Sequence, residues 1–300
     1  MTDPELARRH AELSEQIRTL DYAYYVCNQP KVSDNEYDAL MRELRQIEEQ
    51  APELVTSNSP TQRVGAPLPE GSRFEKVPHP QRMLSLDNTY QIGDIRKFLD
   101  RIEKKLQQKW EQLHTEPELP IEYTIEPKID GISIECFYEN GEFKQALTRG
   151  DGYIGEDITI NMKTIASLPL RLMSNFSGVV RGEVYMSQNV FEELNQKRAN
   201  AHEEPFANPR NAAGGTLHLL NPAEVRARHL SVMFYELLDA PTQTQLEVLH
   251  MLQALGFPIV PDVHVASSLE EIQEIIDFWQ ERKAQWHVPI DGLVFKVNRL

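Results

Sequence analysis

The stretch Glu126-Pro127-Lys128-Ile129-Asp130-Gly131 constrains this chain more than any other, because it closes an apolar run with one lysine set between turn-formers and two carboxylates. Tyr123-Thr124-Ile125-Glu126 predicts a strand leading into a turn, and residues 132–138 predict the strand that leaves it. An amine attacks an electrophile only when uncharged. A nucleophilic Lys128 therefore needs desolvation, or a second cation close by, to shed its proton. Lys296 in the later run Ile290-Asp291-Gly292-Leu293-Val294-Phe295-Lys296-Val297 is the cation on offer. The hexapeptide also fits a plainer reading, an exposed turn lysine beside Asp-Gly, a common hairpin dipeptide.

Strand and helix signals around it describe an α+β chain in two parts. Asp3-Pro4 predicts a helix start, and Leu6, Leu13, Ile17, Leu20 and Tyr24 share one face to about residue 26, where Asn28-Gln29-Pro30 closes the helix. Ser33-Asp34-Asn35-Glu36 reads as a capping box opening a second amphipathic helix through Tyr37, Leu40, Met41, Leu44 and Ile47. Residues 51–82 are rich in Pro, Ser, Thr and Gly and predict a linker. Beyond it, Phe98, Leu99, Ile102, Leu106 and Trp110 predict a helix, and Glu139-Asn140-Gly141-Glu142 predicts a hairpin returning through residues 143–148. Strands are expected at 180–185, 230–238 and 290–297, an unusual small-residue loop at 206–215, and helices around Leu246 to Leu255 and from Ser268.

A length of 300 residues allows about two domains. Hydrophobic content of 40% and charged content of 26% suit a soluble globular protein. No run of 18 apolar residues predicts a membrane span and no signal-peptide core opens the chain, so a cytoplasmic protein is expected. Cys27 and Cys136, with no C-x-x-C, exclude a four-cysteine zinc site within this chain and give no disulfide framework. A net charge of −15 argues against a free-standing nucleic-acid binder.

Lys128-x-Asp130-Gly131, Gly182-Glu183 and Asp291-Gly292-x-Val294-x-Lys296, in that order, resemble the covalent nucleotidyltransferases: DNA ligases, RNA ligases and mRNA capping enzymes. Further matches narrow the resemblance to the NAD-dependent DNA ligases of bacteria, over nearly the whole chain. These are Tyr24-Tyr25 followed by Ser33-Asp34-Asn35-Glu36-Tyr37-Asp38, Met83-Leu84-Ser85-Leu86-Asp87-Asn88, Thr148-Arg149-Gly150-Asp151-Gly152 and Asn208-Pro209-Arg210-Asn211-Ala212-Ala213-Gly214. The resemblance implies a helical nicotinamide-mononucleotide (NMN) unit over 1–68 and an ATP-grasp-like nucleotidyltransferase domain of antiparallel sheets flanked by helices over 69–300.

It also implies site roles. Tyr24, Tyr25, Asp34, Asn35, Glu36, Tyr37 and Asp38 would grip the NMN half of NAD, with rings against the cationic nicotinamide and the free amides of Asn35 and Glu36 on a phosphate. The family often has histidine where this chain has Tyr25. Ser85 and Leu86 would contact adenosine, Glu126 the adenine edge and Tyr235 its face. Arg149 would meet the nucleotide's ribose or phosphate, Arg210 a phosphate of NAD or of DNA, and Glu183 and Asp291 would complete the nucleotide site. Bland alternatives stand beside these: a helical-hairpin core for the tyrosines, a strand leading into a cap at Ser85 and Leu86, a surface turn for Arg149, a water-facing strand for Glu183 and plain core for Tyr235.

The implied reaction is attack of Lys128 on the α-phosphorus of NAD, aided by Lys296, with Asp130 positioning Lys128 or Mg2+. The AMP would then pass to nicked double-stranded DNA in a longer enzyme. No G-x-G-x-x-G follows a strand, so NAD would not be held by a Rossmann crossover. The chain stops at Leu300, before the family's next catalytic lysine and its DNA-binding modules. A monomeric adenylation fragment that binds DNA weakly or not at all is expected, with the basic surfaces elsewhere. Rival readings are an ATP-dependent ligase or capping enzyme, and a non-catalytic NAD-binding module.

Overall fold

The computed structural model describes residues 4–21, 31–55, 59–62, 74–113, 120–172 and 174–300, without the side chains of Arg18, Asp21 and Asp34. In chain order these form α1 (Pro4–Asp21), α2 (Asp34–Gln50), β1 (Lys76–Pro78), α3 (Ile92–Leu113), β2 (Tyr123–Ile129), β3 (Ile132–Glu139), β4 (Glu142–Thr148), β5 (Ile154–Glu156) and α4 (Thr159–Met162). There follow β6 (Gly178–Tyr185), α5 (Gln188–Asn200), α6 (Pro209–Leu217), α7 (Pro222–Ala227), β7 (Ser231–Leu237), α8 (Gln245–Ala254), β8 (His264–Ala266), α9 (Leu269–Arg282) and β9 (Ile290–Val297). The strands make three antiparallel sheets, β1-β5, β8-β2-β9 and β4-β3-β6-β7.

The first two helices pack through Leu13, Ile17, Leu44 and Ile47, the apolar stripe that their spacing predicts. Both halves of the capping box at Ser33 and Glu36 are present. The expected run of α1 beyond Asp21 and its closure at Asn28-Gln29-Pro30 lie outside the described residues, as does the expected N-cap Asp3.

Much of the predicted linker is not one. Glu48 is buried at 7% exposure and needs donors; Ser59 and Thr61 supply them, with His10 Nε2 3.0 Å away, so residues 59–62 fold back onto the hairpin. Farther on, β1 pairs with β5 and belongs to the second unit. The strand considered at Ser85 and Leu86 does not form: this segment has no regular secondary structure and joins no named sheet.

The Asp130-Gly131 hairpin is also overturned. β2 pairs with β8 and β9, whereas β3 pairs with β4 and β6, so this dipeptide carries the chain from one sheet to the other. A Cβ on Gly131 would lie 2.2 Å from the Val184 carbonyl oxygen, which is why the crossing needs glycine. The true hairpin is at Asn140-Gly141, both with positive φ as a two-residue primed turn demands. The predicted loop at 206–215 begins helix α6 instead: the Asn208 side chain caps the Asn211 amide at 2.7 Å, and Pro209 takes the first helical position.

One face of the four-stranded sheet packs on helices that include α6 and α8, with Ile134, Phe234, Leu217 and Leu249 fully buried. Each such side chain contributes about 1.5–3 kcal/mol by burial. The three-stranded sheet rests Ile125 on Ile95 and Ile272, and Ile129 and Ile290 in a cluster with Trp279. These two cores leave the remaining faces of the sheets for other work. Among the described residues no helix is long and apolar enough to cross a membrane.

Candidate functional site

Strand β2 alternates apolar and polar residues, as half-exposed strands do, yet its polar face is covered. Ile125 and Ile129 point into the cores, while Thr124 and Glu126 on the other face are 0% and 2% exposed. In an antiparallel ladder paired residues share a face, so Lys296, opposite Thr124, joins Thr124, Glu126 and Lys128. Lys296 reaches diagonally to Glu126 Oε2 at 2.9 Å, and its Nζ lies 5.4 Å from the centre of the Tyr235 ring. The buried Gln245 amide donates to Glu126 Oε1 and to the Tyr235 carbonyl, both at 3.0 Å, tying this face to β7.

Lys128 pairs with Gly292 and Ile129 with Ile290, so Asp291 is the extra residue of a β-bulge. The bulge turns the Asp291 carboxylate onto Lys128 Nζ, 2.5 Å away, with the two side chains 35% and 32% exposed. Lys128 is thus a partly exposed strand residue, not an exposed turn lysine. The second cation expected beside it is not its hydrogen-bonded partner: Lys296 is held by Glu126, and Lys128 by a carboxylate.

The facing sheet carries matching polar pairs. Across β3 and β6, Ser133 opposes Glu183 and donates to it at 2.8 Å, and Glu135 opposes Arg181, whose Nε donates to it at 2.9 Å. Tyr235 is itself the extra residue of a bulge between β6 and β7, and its phenol is hydrogen-bonded to Ser133. Burial pushes the Glu183 carboxyl up, opposed by Arg210, the Ser133 bond, Arg149 and Lys128. Burial likewise pushes Asp130 up; Arg210, 3.3 Å away, opposes this, Asp291 adds to it, and Lys128 opposes it. Burial also drives the Tyr235 phenol well above its ordinary range.

Six of the expected residues therefore sense one another: Lys128, Arg149 and Arg210 as cations, with Asp130, Glu183 and Asp291 as carboxylates. Cations of this kind suit phosphate oxygens, and interleaved carboxylates suit ribose hydroxyls. Ser133 and Gln245, which hold Glu183 and Glu126, carry no signal in the sequence; one is a polar residue in an alternating strand and the other opens α8. No group of three or more His, Cys, Asp or Glu among the described residues is placed to hold a metal ion.

The helical unit meets the second unit at the segment before α3. Asn88 Nδ2 donates to Asp38 Oδ2 at 3.1 Å, the Tyr90 hydroxyl donates to the same carboxylate, and Arg45 pairs with Asp87 at 3.0 Å. Tyr37 packs in the hairpin core. Asn35 and Glu36 are exposed at the start of α2, but the amide of Glu36 is not free: Ser33 Oγ accepts it at 3.3 Å, and the Glu36 carboxylate accepts the Ser33 amide at 2.9 Å, which lowers its pKa. Ser85 and Leu86 are exposed. Tyr24, Tyr25 and the side chain of Asp34 lie outside the described residues.

Residues 71–300 match the family model described as the NAD-dependent DNA ligase adenylation domain, which sets the class as a nucleotidyltransferase. Residues 3–65 match the DNA ligase-like, N-terminal NAD+-binding domain. Among curated relatives, a DNA ligase of Fervidobacterium nodosum is 43% identical over 99% of this chain, one of Thermotoga maritima 44% over 98%, and one of Anoxybacillus flavithermus 44% over 98%. The chain spans 42% of the length of each of these relatives. It belongs to the NAD-dependent DNA ligase family.

Proposed function

We propose that this chain adenylates itself from NAD. Lys128 Nζ, once deprotonated, attacks the α-phosphorus of the adenylyl half; a P–N bond forms, the bond to the bridging pyrophosphate oxygen breaks, and NMN leaves with the electron pair. Lys296 supplies positive charge to the phosphoryl oxygens as they gain negative charge. Arg149 and Arg210 hold phosphate, Glu183 and Asp130 hold ribose hydroxyls or orient the reacting groups, and Tyr235, Glu126, Ser85 and Leu86 receive the adenosine. Asp291 holds the nucleophile in place until NAD arrives. The observation that carries this reading is Lys128 on the covered polar face of β2, beside a carboxylate that a bulge has turned onto it.

The helical unit, divided from the rest near residues 68–69, would take the NMN half through Tyr24, Tyr25, Asp34, Asn35, Tyr37 and Asp38. Mg2+ belongs to the proposal as an ion that carboxylates of the site would hold. Asp130 and Asp291 fit that use, because Asp291 already pushes the Asp130 carboxyl up and a divalent cation held by both would relieve the repulsion. When bound it would neutralise phosphate charge. In the longer relatives' context the AMP would pass to a DNA 5′-phosphate and the adjoining 3′-hydroxyl would displace it, sealing a nick. The net charge of −15 supports weak DNA binding by this chain alone. We place it in the cytoplasm as a monomer.

Incubation with adenylate-labelled NAD tests the reading. Label should join the wild-type chain and not Lys128→Ala; persistent labelling of that variant refutes the nucleophile. Labelling from ATP with none from NAD refutes the cofactor.

A further inference from the structure

We propose that His79 is a positioning residue for the nucleotide arginine Arg149, acting through the peptide backbone. His79 is fully buried, and both of its ring nitrogens are engaged. Nε2 lies 3.0 Å from the Arg149 carbonyl oxygen, which can only accept, so Nε2 donates. Nδ1 lies 2.7 Å from Glu135 Oε2, on a carboxylate whose other oxygen takes Arg181 at 2.9 Å.

The Arg149 carbonyl also accepts the Gly152 amide at 2.9 Å, and the Arg149 amide donates to the Ser133 carbonyl at 3.1 Å. Ser133 in turn holds Glu183 through its hydroxyl. Arg149 thus leaves β4 with its backbone gripped on both sides, by a residue of the site and by a ring from outside it. The main chain around His79 reinforces that grip, since its amide donates to the Tyr153 carbonyl at 2.9 Å and the Met83 amide to the Gly152 carbonyl at 3.0 Å. The ring lies against Gly155, where an added Cβ would sit 3.0 Å from Nε2. The segment entering the second unit therefore sets where the Arg149 turn stands, while the buried Glu135–Arg181 pair sets where His79 stands.

This inference rests on the nucleotide-binding role of Arg149 proposed above. Two substitutions separate the two bonds of the ring: the Gln amide nitrogen stands near the place of Nε2 and the Asn amide nitrogen near that of Nδ1. In the full chain, His79→Asn should raise the NAD concentration for half-maximal AMP labelling roughly tenfold, as one lost hydrogen bond allows, and leave the saturating rate within about twofold. His79→Gln should stay within about threefold of wild type in both, although it too disturbs the core.

Equal effects of the two variants, or a His79→Asn effect on the saturating rate alone, would make His79 merely structural and overturn the proposal. Arg149→Ala distinguishes the levels. If it raises half-saturation while His79→Asn does not, only the His79 role falls; if it changes nothing, the reading of Arg149 falls and takes this one with it. Should His79→Asn fail to fold, the imidazole signals of 15N-labelled wild-type chain decide. A slowly exchanging Nε2–H that shifts as NAD is added supports the proposal, and one that ignores NAD overturns it.

Discussion

Two lysines stand on the same face of one β-ladder and differ in how they are held. Lys296, 26% exposed, pairs with a Glu126 carboxylate that is 3% exposed and further fixed by Gln245, whereas Lys128, 32% exposed, pairs with an Asp291 that is 35% exposed and sits on a bulge. A charge that must stay in place is best met by a buried, multiply bonded partner, because separating the pair would strand a carboxylate away from water. A charge that must be given up is better met by a partly exposed partner, which water or a substrate can replace. On the reading proposed above, the difference between the pairs is the difference between a fixed electrostatic group and a nucleophile.

The sharpest way to break this comparison is to keep both charges and change both amines. Lys128→Arg should lose AMP labelling by a factor of about 10⁴ or more, since a guanidinium that stays charged is no nucleophile. Lys296→Arg should lose only about tenfold. Equal losses would erase the division of labour. Removing the charge instead, Lys296→Met should slow labelling about 10²–10³-fold. It should also cost about 1–3 kcal/mol in urea unfolding by orphaning Glu126, while Lys128→Met should stay within about 0.5 kcal/mol. A reversed order of stabilities would contradict the account of the two pairs.

On the facing sheet the expected effects are smaller. Ser133→Ala should weaken NAD half-saturation roughly three- to tenfold, because Glu183 and the Tyr235 phenol lose their shared hydroxyl. Glu183→Gln should cost labelling yet raise Tm at neutral pH. The sign follows from burial. The folded chain holds the Glu183 proton more tightly than the unfolded one, so the contribution of this group to stability is most favourable at low pH and falls as pH rises from the ordinary carboxylate range through the raised folded value. The gain of the Gln variant should therefore vanish in acid. A gain that persists there would mean that charge burial is not its cause.

Local chemistry made much of the fold legible. Residues 290–297 read as an apolar strand carrying charges and span β9, the Asn140-Gly141 turn needs residues that tolerate positive φ, and Ser33 with Glu36 marks the start of α2 before any tertiary contact is considered. What stayed hidden depends on the second sheet. The alternation in β2 announces a strand but cannot tell that its polar side is covered rather than wet, nor that Asp291 and Tyr235 are the extra residues of bulges. The Asp130-Gly131 crossing mimics a hairpin because the same dipeptide serves both, and only the close approach of Val184 tells them apart. Small residues in α6 suggested a loop because their helical pattern is faint, and Glu48 gave no warning that residues 59–61 would return to satisfy it.

The most direct test of the lysine assignment is intact mass followed by peptide mapping after incubation of the chain with NAD and Mg2+. The result expected is a gain of a single adenylate, labile in acid as a phosphoramidate is, on the peptide carrying Lys128. An unchanged mass, or an adenylate carried by Lys296 or any other residue, would contradict it.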